Sequence, residues 1–241
     1  MTAELSGRED VRSGVPSPWA VVCDFDGTAI MGDIADALAL RYLGPTQFEL
    51  VNAQFKRGDI TFRELLHKLF EPIAATPLEI RASAQALADF RPGFVRLVEL
   101  SRERNIPFTL ASGGLDIYIT PALELLSAAQ RGWMTLRANH ATHRDGGLDL
   151  SFPYADQPGS CGECGSCKRA VITELQNDGY RVLAIGDGHA DRCMADAADV
   201  LFARARLREW CDEVQKPYIA FETLDVVVDF LESNCADMGL Q

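Results

Sequence analysis

Hydrophobic positions along this chain follow two different rhythms. Trp19 to Cys23 is a short unbroken apolar run that stops at Asp24 and a polar turn containing Gly27, the pattern of a buried strand. From Asp33 to Leu43 the spacing changes: Ile34, Ala37, Leu38 and Leu40 recur at helical intervals, and Gly44-Pro45 closes the segment. Thr61 and Glu64 form a capping-box pair ahead of the stripe Phe62, Leu65, Leu66, Leu69 and Phe70. Thr76 and Glu79, with Pro77 at the first helical position, open a further helix. Residues 33–90 thus read as consecutive helices without a strand, with Phe62 and Phe70 in their core.

After Pro92 helix and strand alternate. Phe94 to Arg104 is predicted helical, and Ile106 to Ala111 is a predicted strand ending in Ser112-Gly113-Gly114. Asp116 to Ala129 is the next helix. Met134 to Ala138 and Leu148 to Phe152 are expected to pair about an Asp145-Gly146-Gly147 turn. Lys168 to Gln176 reads as a helix, Arg181 to Ile185 as a strand ending in Gly186-Asp187-Gly188, and Asp199 to Phe202 as a last short strand. This alternation predicts an α/β fold, a Rossmann-like parallel sheet covered on both faces, with the all-helical segment inserted as a cap. The expected division is a flexible N-terminal arm at 1–17, an α/β core formed by 18–32 and 91–241, and a helical cap at 33–90.

Composition narrows the class of partner. With 241 residues, 47% hydrophobic and 24% charged, the chain is long enough for one domain carrying a sizeable insertion. A formal charge of −12 argues against nucleic acid as a partner, and requires any anionic substrate to find a local cluster of cations or backbone N–H groups. No stretch approaches the roughly 20 apolar residues that span a bilayer, so no membrane partner is expected. The first 17 residues carry Glu4, Glu9 and Asp10 and no apolar segment, unlike a secretory signal. Together with seven cysteines, an odd number, this points to reduced thiols and a cytoplasmic protein. Oligomeric state has no signature in the sequence.

Three predicted strands end in polar, glycine-containing turns: Asp24-Phe25-Asp26-Gly27-Thr28, Ser112-Gly113-Gly114, and Gly186-Asp187-Gly188-His189-Ala190-Asp191. In an open parallel sheet ligands bind beyond the carboxyl ends of the strands, so these turns are expected to meet. Four converging carboxylates, Asp24, Asp26, Asp187 and Asp191, would repel one another without a cation, and hard oxygen donors select Mg²⁺. Glycines such as Gly113 let backbone N–H groups approach an anion, Ser112 adds a hydroxyl, and Lys168 supplies a point charge.

Those four motifs, in this order, resemble the haloacid-dehalogenase-like superfamily over about Trp19 to Ala203. The resemblance implies that Asp24 is a nucleophile forming an aspartyl-phosphate and that Asp26 protonates the leaving alcohol and then activates water. It also implies that Asp24, Asp187, the Asp26 carbonyl and the substrate phosphate hold Mg²⁺. Asp191 would orient its neighbours, and Ser112, Gly113 and Lys168 would bind the phosphoryl group. Asp26 speaks against dehalogenation, since members with that chemistry usually lack a second aspartate. The cap's position between the first two motifs resembles the phosphoserine-phosphatase-like branch. Phosphoserine phosphatases carry a Glu after the first motif and an Arg in the cap; the nearest counterparts here are Asp33 and Lys68, with Arg63 close by. Asp33 reads equally as a helix N-cap or a substrate contact, whereas Lys68 reads mainly as a solvated helix face. His189 is expected at a surface or facing the lid.

Ser112-Gly113-Gly114-Leu115-Asp116, Asn139-His140-Ala141, the cysteine-rich run into Lys168 and Phe202-Ala203-Arg204 together resemble the 2-hydroxy-3-keto-5-methylthiopentenyl-1-phosphate phosphatases of methionine salvage. The implied partner is a small phosphorylated metabolite. Phosphoserine or another small phosphomonoester, phosphotransfer to another alcohol, and a catalytically weak metal- or metabolite-binding protein are the competing readings. Cys161, Cys164 and Cys167 form a C-x₂-C-x₂-C run that could wrap Zn²⁺ with His140, His143 or another chain as fourth ligand. Three reduced thiols on a loop, a Cys161–Cys164 redox pair, or an iron–sulfur site completed by Cys193 or Cys211 are the other readings. Cys23 is expected in the core.

Overall fold

The computed structural model describes residues 18–157, 160 and 165–234. The arm expected at 1–17 therefore lies outside the described residues. β1 (Trp19–Cys23) is the central strand, flanked in parallel by β2 (Phe108–Leu115) and β5 (Arg181–Gly186). β3 (Met134–Arg144) and β4 (Gly147–Ser151) extend the sheet on one side, β6 (Val200–Ala203) and β7 (Ile219–Ala220) on the other, in the order β4-β3-β2-β1-β5-β6-β7. Among the described strands of this sheet only the β3–β4 pairing is antiparallel.

Strand residues alternate between two cores, as the pleat dictates. Val21, Cys23, Leu183 and Ile185 face the larger core, which contains α5 (Phe94–Glu103) and α11 (Asp225–Asn234). Val22, Val182 and Ala184 face a second core with α8 (Lys168–Asn177), α9 (Arg192–Ala197) and α10 (Ala205–Glu213). Both faces of the parallel sheet are therefore covered, which is why β1 is apolar at every position.

Five α-helices lie between β1 and β2; the first four, α1 (Ile34–Leu43), α2 (Pro45–Lys56), α3 (Phe62–Phe70) and α4 (Pro77–Leu87), precede the return of the chain at Phe90. Both capping boxes read from the sequence form, Thr61 with Glu64 and Thr76 with Glu79. The chain leaves and returns at adjacent points. Ile30 and Phe90 make an antiparallel bridge, and Met31 N–H donates to the Asp89 carbonyl at 2.8 Å.

Several local expectations are corrected. Ser112-Gly113-Gly114 is not a turn: β2 continues through it to Leu115, with every residue buried. The hairpin pairs His140–Arg144 with Gly147–Ser151 rather than Met134–Ala138 with Leu148–Phe152. The first part of β3 instead pairs with β2, so one long strand serves two neighbours. The helix expected over Asp116 to Ala129 is two helices, α6 (Asp116–Leu123) and α7 (Ala128–Trp133). The second is restarted by a Ser127–Gln130 capping box. α10, β7 and α11 extend the fold beyond the last strand read from the sequence.

Candidate active site

Asp24 follows β1 directly, and its N–H still donates to the Ile185 carbonyl at 3.0 Å. The chain then turns sharply at Gly27, whose φ is +76°. A Cβ there would lie 2.4 Å from Asp187 Oδ2, so glycine is required by both conformation and space. Two arginines hold the turn. Arg91 donates to the carbonyls of Gly27 and Thr28 at 2.6 and 2.7 Å, and Arg204 donates to Gly27 at 2.9 Å. Thr28 Oγ1 donates to Asp187 Oδ1 at 3.3 Å, tying this turn to the end of β5.

Lys168, the first residue of α8, is buried and reaches across the sheet end. Its Nζ donates to Asp24 Oδ1 and to Asp191 Oδ1, linking three buried side chains. Asp191 Oδ2 accepts the N–H groups of Asp187 and Gly188, both at 2.9 Å, so both Asp191 oxygens are engaged. Asp26 Oδ1 accepts from Ile34 N–H and Oδ2 from the Tyr118 hydroxyl, each at 2.8 Å. Ser112 Oγ accepts the Gly114 N–H at 2.9 Å, and Asn139 Nδ2 donates to the Gly113 carbonyl at 2.8 Å.

Electrostatics at this point are unbalanced. Ligand oxygens of Asp24, Asp187 and Asp191 lie within 4.8 Å of one another, against the Lys168 ammonium and the Arg204 guanidinium, 3.8 Å from Asp187 Oδ2. Burial, then the charge of Asp191, pushes the Asp24 carboxyl up to about 7 despite Lys168. Burial also raises Asp187. Burial, followed by the charge of Asp33, lifts Asp26 well above the ordinary range. Burial lowers the Lys168 ammonium, but Asp191 and Asp24 outweigh it and the net shift is upward. Excess buried negative charge on hard oxygens fits a divalent cation such as Mg²⁺. With Asp191 fully engaged, Asp24 and Asp187 are the side chains left to hold it.

A cavity of about 470 Å³ opens over this cluster. Of the residues singled out from sequence, Asp24, Asp26, Asp33, Ser112, Gly113, Lys168, Asp187 and Asp191 all line it, together with His189. Asp33 also caps α1, accepting Asp36 N–H at 2.7 Å, so both of its readings hold geometrically. The contribution of α3 is wholly apolar: Phe62, Leu65, Leu66, Leu69 and Phe70. Lys68 is not brought to the site. It is exposed on the opposite side of α3, because the apolar stripe takes the inward face.

The cysteine run is only partly described. Cys161 and Cys164 lie outside the described residues, while Cys167 is buried at the start of α8. Among the described residues the metal-competent cluster is the carboxylate group alone, and no cysteine joins it. His140 Nδ1 is engaged with Asp116 Oδ2 at 2.6 Å, and Cys211 is buried against α10's neighbours in the second core.

Sequence reasoning missed Arg91, Tyr118 and Arg204. Each sits outside the motif positions, and a buried charge or phenol is invisible to periodicity. Arg204 gave the only hint, at the end of the Phe202-Ala203-Arg204 texture.

The sequence model of the haloacid dehalogenase-like hydrolase family matches residues 21–196. A 2-hydroxy-3-keto-5-methylthiopentenyl-1-phosphate phosphatase of Geobacillus thermodenitrificans is 30% identical over 212 residues, covering 87% of this chain and 94% of the relative. The bifunctional enzyme MtnB/MtnX of Bacillus licheniformis is 29% identical over 215 residues. That match covers 89% of this chain but only 49% of the longer relative. Among solved structures, a probable phosphoserine phosphatase from Vibrio cholerae superposes with a TM-score of 0.67 at 22% identity. The superposition covers 93% of this chain and 67% of that one, and is a likeness of fold.

Proposed function

Because this chain belongs to the haloacid dehalogenase-like hydrolase family and is a phosphoric monoester hydrolase, we propose that it acts through an aspartyl-phosphate on Asp24, with 2-hydroxy-3-keto-5-methylthiopentenyl-1-phosphate as substrate. The reading rests on one juxtaposition: the buried Asp24–Lys168–Asp191 cluster lies beneath an apolar wall supplied by α3. The cluster suits the phosphate, and the wall suits an uncharged methylthio-bearing chain rather than an amino acid.

In the first step an oxygen of Asp24 attacks phosphorus while the bond to the leaving alcohol breaks, and Asp26 gives that oxygen a proton. Asp26, now a carboxylate, takes a proton from water. The water oxygen attacks phosphorus, the Asp24–phosphorus linkage breaks, and inorganic phosphate leaves with Asp24 restored. Lys168, the Ser112 hydroxyl and backbone N–H groups near Gly113 balance the charge on the transferring phosphoryl group. Mg²⁺ held by Asp24, Asp187 and the Asp26 main-chain carbonyl would screen the negative charges that approach one another. Asp191 keeps Lys168 and the Asp187–Gly188 backbone in place. In this reading residues 33–90 are the cap, joined to the core through the paired segments at Ile30 and Phe90.

Phosphoserine is the weaker candidate in this reading because the α3 wall is apolar; the arginines that line the cavity, Arg204 and Arg206, come from the segment after β6. The test is phosphate release from a panel of phosphoserine, sugar phosphates, pyridoxal phosphate and the methylthiopentenyl phosphate, with Mg²⁺ and then with EDTA. Mg²⁺-dependent preference for the last is expected, and Asp24→Asn should abolish turnover. Preference for phosphoserine would overturn the substrate assignment, and full activity in Asp24→Asn would overturn the mechanism.

A further inference from the structure

Asp26 is held by a side chain that belongs to none of the four motifs. Tyr118, on α6, is fully buried, and its ring stacks on Phe70 of α3 with centroids 6.1 Å apart and planes at 20°. Its hydroxyl donates to Asp26 Oδ2 at 2.8 Å. The hydroxyl occupies a built niche: a Cβ on Gly114 would lie 1.7 Å from it, so the bare backbone of β2 makes its room. A buried phenol oxygen is costly unless bonded, and the Asp26 carboxyl is the partner the structure supplies.

We propose that Tyr118 is a positioning residue for proton transfer by Asp26, fixing the carboxyl so that its proton meets the leaving oxygen. This rests on the reading of Asp26 as the general acid. One bond, from Ile34 N–H to Oδ1, leaves the carboxyl able to swing about it; a second bond to Oδ2 fixes its plane. Both partners donate, so neither takes up the proton that the acid must deliver.

Tyr118→Phe tests this, since it keeps the ring and its stack on Phe70 and removes only the hydroxyl. The variant is compared with wild type and Asp26→Asn on two esters in saturating Mg²⁺. Butyl phosphate has a leaving group that needs a proton; p-nitrophenyl phosphate has one that departs without it. For Tyr118→Phe, kcat/KM, which reports formation of the aspartyl-phosphate and not its later hydrolysis, should fall roughly tenfold on butyl phosphate and stay within about twofold of wild type on the aryl ester. Asp26→Asn should move the same way and further. Equal losses on both esters would mean a structural role, and no loss on butyl phosphate would mean no role; either overturns the inference while the Asp26→Asn result keeps the acid assignment. Wild type active on the aryl ester alone would remove the acid role from Asp26 and this inference with it. Release from neither ester would overturn the functional reading itself.

Discussion

Arg91 offers the sharpest test of what holds the nucleophile turn. Its side chain is 2% exposed and its three nitrogens donate to four main-chain carbonyls, those of Gly27, Thr28, Glu222 and Ile30, at 2.6, 2.7, 2.9 and 3.5 Å. Arg91→Met preserves length and apolar stem but strips all three donors at once. A hydrogen bond from a charged donor contributes about 1.5–3 kcal/mol, but losing the guanidinium also removes the cost of keeping it from water. Carbonyls left without a donor cost about 1–3 kcal/mol each, and Gly27 keeps its bond from Arg204, so the net expected loss is about 3–5 kcal/mol. Against a total stability of about 5–15 kcal/mol this is a large fraction. With a urea slope of about 3 kcal/mol/M, the unfolding midpoint should fall by about 1–1.7 M. Arg91→Lys keeps the charge but cannot span four carbonyls with one ammonium, so it should recover less than half. Phosphate release should fall with both variants, since the same turn carries Asp26 and Thr28. A midpoint for Arg91→Met within about 0.3 M of wild type would refute the reasoning, because the donors would then be replaceable by water.

Two further outcomes follow from the geometry of the carboxylates. Asp24 holds its proton to about 7 in the folded chain against an ordinary 3.8, so the folded state binds more protons over that interval and metal-free stability should fall as pH rises through it. Urea midpoints in EDTA at pH 5 and pH 8 check this, and a higher midpoint at pH 8 would contradict it. Gly27→Ala places a Cβ 2.4 Å from Asp187 Oδ2 at a φ of +76°; stability should drop by about 1–3 kcal/mol, and Mg²⁺ titration followed by calorimetry should show weakened binding. Unchanged Mg²⁺ affinity would mean that Asp187 does not hold the ion.

The parts of the fold that were legible are those where one local signal dominates. β1 and β5 are continuous apolar runs stopped by aspartate and glycine, and α3 and α4 begin at capping boxes, so sequence and structure agree there. Ser112-Gly113-Gly114 carries a turn composition yet forms strand, because its glycines are needed for close approach. Phe62 crowds Gly113, and the Tyr118 hydroxyl crowds Gly114. Glycine for space and glycine for bending look identical in a sequence. The motif carboxylates were readable because their chemistry demands those residue types at those strand ends. Arg91, Tyr118 and Arg204 were not, because their roles arise only when segments distant in sequence meet.

The position of β1 also dictates the order in which this molecule can assemble. Val21 pairs with Phe108 on one side and with Leu183 on the other, so β1 gains its second neighbour only once β5 has been made. Helices α1–α4 can form locally soon after synthesis, while one edge of the apolar strand Trp19–Cys23 stays unpaired until β5 has emerged. Such long-range closure slows folding and leaves a sticky segment exposed in the interval, the circumstance in which chains need chaperones. Since Lys168 reaches Asp24 only after that closure, a nascent or truncated chain ending before α8 cannot assemble the buried pair, and phosphate release would report completed folding as directly as it reports chemistry.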